Sequence, residues 1–74
     1  MDEEQSSLGR FTGLNRKGEE VTVFAYRKGT LEYLSTELGT PHLVHHSRKG
    51  KGIEGLRVEV AVVYNLSEVR YVPY

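Results

Sequence analysis

The strongest constraint on this chain is the run Glu20-Val21-Thr22-Val23-Phe24-Ala25-Tyr26, entered through Asn15-Arg16-Lys17-Gly18. β-Branched and aromatic side chains fit a pleated surface better than a helix, because their χ1 freedom is lost against a preceding helical turn. An Asn-first, Gly-last turn lets the glycine adopt positive φ, so the arm before it, Leu8 to Leu14, is read as the other half of a hairpin. A lone hairpin is not stable in water. The remaining residues must therefore supply further strands.

Three later segments meet that need. In Leu56-Arg57-Val58-Glu59-Val60-Ala61-Val62-Val63-Tyr64, strict alternation predicts a strand with Leu56, Val58, Val60, Val62 and Tyr64 on a core face. Ala61 and Val63 then make the opposite face apolar too, which predicts cover on both sides, by a helix, a curled sheet or another subunit. The chain turns at Asn65-Leu66-Ser67 into a last strand at 69–74, whose Pro73 suits a sheet edge. His42 to Ser47 reads as a short strand, and Arg48-Lys49-Gly50-Lys51-Gly52 as a charged loop.

The segment 30–38 admits two readings. As a helix it has Thr30 as N-cap, Leu31, Leu34 and Leu38 on one face, and Gly39 and Pro41 as stop signals. As a strand it pairs back on 20–26. The specific exit signal favours a short helix.

Seventy-four residues enclose one modest core, so one domain is expected at 8–74, behind a disordered acidic leader at 1–7. Short strands separated by turns place it in the mainly β class. The expected architecture is a small, strongly bent antiparallel sheet or barrel of SH3-like, Sm-like or OB-like form, with one short helix at 30–38. Without cysteine the chain has no disulfide to stabilise it. It must rely on packing or on a partner copy. The missing cysteines, together with an acidic N-terminus unlike a signal peptide, point to the cytoplasm, and no apolar run reaches the roughly 20 residues of a membrane span.

Formal net charge is zero, but three of the ten acidic residues lie in the leader, leaving seven against ten basic ones. That mild basicity permits an anionic ligand without announcing one. Arg-Lys-Gly recurs at 16–18, 27–29 and 48–50, each time at an expected turn. Charged residues beside glycine are ordinary turn material, yet their amides and cations also suit phosphate. If 30–35 is a strand, alternating turns bring Arg27, Lys28, Arg48, Lys49 and Lys51 to one end of the sheet as a candidate phosphate-binding rim. Tyr26 and Tyr33 beside it could stack on bases, although strand aromatics are more often cross-strand partners.

His42, His45 and His46 cannot converge on one ion from a strand, since alternation splits them between faces, so no metal site is expected. Ser47 beside His46 is mere proximity, and Gly50-Lys51-Gly52 lacks the P-loop spacing, so neither catalytic residues nor a cofactor are assigned. The leading expectation is a non-catalytic binding domain that self-associates through Ala61, Val63, Tyr71 and Tyr74 and presents basic loops to an anionic ligand. An RNA- or DNA-binding domain is the first alternative, with a phosphorylated small molecule as a variant on the same loops. A structural or regulatory accessory protein docking on a protein partner by edge-strand pairing is the second.

Overall fold

The Asn15 side chain builds the first turn: its Oδ1 accepts hydrogen bonds from the amides of Lys17 and Glu19, both at 2.9 Å. Gly18 donates to the Asn15 carbonyl at 3.0 Å with φ of +79°. This turn joins β1 (Gln5–Leu14) to β2 (Glu20–Lys28), paired antiparallel from Gln5↔Lys28 to Leu14↔Glu20. The computed structural model describes residues 5–37, 39–45 and 51–73. In it β3 (Leu31–Ser35) and β4 (His42–Leu43) continue the meander, and α1 (Gly52–Val63) carries the chain to β5 (Ser67–Val72) beside β1. The result is a five-stranded antiparallel sheet of order β4-β3-β2-β1-β5 with one helix. The mainly β expectation holds, as an open sheet that does not close into a barrel.

Two element assignments are corrected. Residues 56–64 are not a strand: α1 runs through Val63 and ends in a C-terminal cap. Asn65 takes a left-handed φ of +54°, and the Leu66 amide donates to the Ala61 carbonyl at 3.1 Å, the six-to-one bond that closes a helix on a residue of this conformation. Leu66 is buried, supplying the hydrophobic contact that accompanies such a cap. Nor do the described residues of 30–38 form a helix, and Leu38 lies outside them. Leu31–Ser35 pairs with 24–28 as β3, and the stop signals Gly39 and Pro41 lie in the link to β4. Leu31 and Leu34, expected on one helical face, point to opposite sides of the sheet, with Leu34 fully buried and Leu31 exposed. In addition, β1 begins at Gln5, inside the expected leader.

The core lies between α1 and one face of the sheet. Phe11, Val23, Ala25, Leu34 and Val69 point down from the strands, and Leu56 and Val60 point up from the helix, joined by Val44 and Leu66. Of the five residues expected on the core face of 56–64, Leu56 and Val60 are buried, Val58 and Tyr64 are half-buried and Val62 is 65% exposed. A spacing of four residues is what one helical face requires. Glu59, on the same stripe, is the buried charged residue of the helix. Its Oε2 lies 2.9 Å from His42 Nε2 and accepts the His45 amide at 3.3 Å, tying α1 to the chain at the β4 edge.

Candidate binding surface

Because side chains alternate along a strand, the residues between the core positions face away from α1. Register places Arg10 beside Phe24, Thr12 beside Thr22, and Tyr26 beside Tyr33 on this open face. Val72 and Arg70 of β5 continue it next to Arg10 and Thr12, and Leu43 of β4 continues it next to Tyr33. Tyr26 and Tyr33 stack with ring centroids 5.3 Å apart and planes 17° apart, the parallel geometry that aromatic quadrupoles favour when offset. Phe24 is 37% exposed although it sits on a central strand. An open concavity of about 710 Å³ lies over this face, lined by Arg10, Thr12, Thr22, Phe24 and Val72 and bordered by Glu20, Thr36 and Glu37.

Charge on the face is graded along the strands. Glu20 starts β2 and Glu37 follows β3, so both carboxylates stand at the end of the sheet that holds the Asn15 turn. Lys28 stands at the other end, opposite Leu31, and Arg10 lies between. Arg70 is exposed on the outer strand. Lys28 and the Tyr26–Tyr33 pair occupy the half of the face away from the carboxylates, whereas Arg70, paired with Thr12 and so level with Thr22, lies on the carboxylate side.

The sequence-derived rim is only partly gathered. Arg27 points to the helix side of the sheet, where its Nη2 lies 3.3 Å from Glu32 Oε2. Lys28 projects on the open face instead, and exposed Lys51 caps the start of α1 without a side-chain hydrogen bond. Arg48 and Lys49 lie outside the described residues. The chain does leave β4 toward the β2–β3 turn, as the meander requires, with the Val44 amide donating to the Glu32 carbonyl at 2.9 Å.

Of the four expected interface residues, Ala61 and Tyr71 have contacts within the chain. Ala61 packs against the core, and Val63 is 38% exposed near the helix end. The Tyr71 ring packs on Phe11 at 5.3 Å, and its hydroxyl donates to the Leu8 carbonyl at 3.0 Å. Tyr74 lies outside the described residues. Of the three histidines, His42 is engaged by Glu59, and His46 lies outside the described residues. Among the described residues no group of His, Asp or Glu is arranged to hold a metal ion, and no helix is long and apolar enough to cross a membrane.

Sequence reasoning missed Arg10, Phe24 and Arg70 as surface residues. The signal was present in β2: Val21, Val23 and Ala25 form the core side of an alternation whose other side is Thr22, Phe24 and Tyr26. Comparison with protein-family models, curated proteins and solved structures found no match to this chain.

Proposed function

We propose that this chain is a small non-catalytic binding domain that takes an anionic ligand on the open face of its sheet. The carrying observation is that, among the described residues, cover of the sheet is one-sided: α1 packs on one face, and the other bears Phe24, the Tyr26–Tyr33 stack, Arg10, Lys28 and Arg70. Antiparallel sheets commonly leave one face to water, and that face then carries polar residues in alternation. Here part of it is aromatic and half-exposed, and the cations stand beside the rings. Such a surface offers both charge and a flat apolar contact to a ligand.

The basic turns support this site unequally. Lys28 belongs to it by register, whereas Arg27 is directed at Glu32 on the other side. The test is charge reversal on the face: Lys28→Glu with Arg70→Glu, assayed for inorganic polyphosphate binding by calorimetry. Loss of binding with an unchanged circular dichroism melt is expected. Binding as tight as that of the parent chain would refute the reading. Self-association is the second reading, favoured by Leu31 and Leu43, 42% and 49% exposed on the same face. A monomer in sedimentation velocity at micromolar concentration would remove it.

A further inference from the structure

Resting on the anion-binding reading of the open face, we propose that the ligand is a single-stranded nucleic acid, its bases stacking on Phe24 and the Tyr26–Tyr33 pair and its phosphates meeting Lys28, Arg10 and Arg70. Rings and cations alternate across the strands: Arg10 is the register partner of Phe24, and Lys28 follows Tyr26 by two residues on the same face. Phe24 and Tyr26 are likewise two residues apart, which separates their ring sites by about 7 Å along β2. That is twice the roughly 3.4 Å rise per nucleotide of a duplex strand. Neighbouring bases on these rings are therefore splayed and unstacked from each other, which a single strand permits and a duplex does not.

Size separates this occupant from a second copy. The five strands hold 10, 9, 5, 2 and 6 residues, so at about 3.4 Å per residue and 4.8 Å between strands they present a face of roughly 500 Å². A stable protein interface needs about 800 Å² from each partner. A face of this size suits a few nucleotides, near the low end of the roughly 4–16 that one OB fold holds.

The experiment measures fluorescence anisotropy of labelled dT12 and rU12 against the full chain, with inorganic polyphosphate as a ringless competitor of similar charge. Both oligonucleotides are expected to bind at least tenfold more tightly than polyphosphate. With three phosphate contacts and a single-strand slope of about 0.7 per contact, affinity should fall about 20-fold between 50 and 200 mM salt. Phe24→Leu keeps apolar bulk but removes the ring, and should weaken binding at least fivefold with an unchanged melt. Should that variant melt lower, Arg70→Ala at its exposed edge position carries the test, by lowering the salt slope by about 0.7. Polyphosphate binding as tightly as the oligonucleotides would overturn base stacking and leave the anion site standing. Failure of all three ligands to bind would overturn both, and a dimer in sedimentation would then assign the face to a second copy. A preference for dT12 or for rU12 would identify the sugar and support the proposal.

Discussion

Gly9 sits where β1 bulges, between Ser7↔Tyr26 and Gly9↔Ala25, with φ of +108°. A Cβ at this position would lie 2.5 Å from Tyr71 Cε1, 2.7 Å from the hydroxyl and 2.9 Å from Cζ, so Gly9→Ala combines backbone strain with a steric clash. The φ cost for a residue with Cβ is about 1–2 kcal/mol. The ring can relieve the clash only by moving off Phe11 and releasing the Leu8 carbonyl. That forfeits an aromatic contact of about 0.5–1.5 kcal/mol and a hydrogen bond of about 1 kcal/mol. The substitution should therefore destabilise by about 3–4 kcal/mol, a large part of the roughly 4–11 kcal/mol expected for a domain of this length. Urea denaturation followed by circular dichroism measures it. In a Tyr71→Ala background the same change should cost only the backbone part, about 1–2 kcal/mol. A cost below about 1 kcal/mol in the parent chain, or an equal cost in both backgrounds, would refute the assignment of Tyr71 to Gly9.

Three further outcomes follow from other parts of the fold. Glu59→Ala removes the buried acceptor shared by His42 and the His45 amide, and should destabilise by about 2 kcal/mol in urea titration; an unchanged midpoint would contradict a clasp between α1 and the β4 edge. Glu68, in β5, has a left-handed φ of +52°, so Glu68→Gly should raise stability by about 0.5 kcal/mol, whereas glycine at an ordinary strand position lowers it. A loss in thermal melting would count against that conformation. The hydrogen bond from Arg57, reinforced by its charge, holds the Glu54 carboxyl below the usual carboxylate range. A depressed folded value means that this pair stabilises above the unfolded value and is lost as pH falls through the folded one. Carbon-detected titration should show a low Glu54 midpoint that returns to normal in Arg57→Ala; equal midpoints would remove the pair.

The N-terminal hairpin was legible because its signals are local: Asn15 and Gly18 fix the turn, and the β-branched run after it has no competing reading. Residues 56–64 misled because β-branched valines at every second position imitate a strand, while the helical stripe Leu56, Glu59, Val60 is interrupted by a charge. The charge is tolerated because His42, 17 residues away, reaches it, a contact no local pattern contains. Asn65-Leu66 carries a helix stop, but the same two residues also suit a strand-to-strand turn. At 31–35 the decisive forces are again distant in sequence: Leu34 fills the core beside Ala25, and Tyr33 stacks on Tyr26. The open face was half legible. Tyr26, Tyr33 and Lys28 flank a basic turn in the sequence itself, but Arg10 and Arg70 join them only through the β5-β1-β2 order of the sheet.

The central claim is that the uncovered sheet face is the binding surface. Amide chemical-shift mapping of the ¹⁵N-labelled chain during titration with rU12 tests it most directly. The largest shifts should fall on Arg10, Thr12, Thr22, Phe24, Tyr26 and Arg70, with the amides of α1 little changed. Shifts concentrated on the Asn15 turn or on α1, with the open face silent, would contradict it.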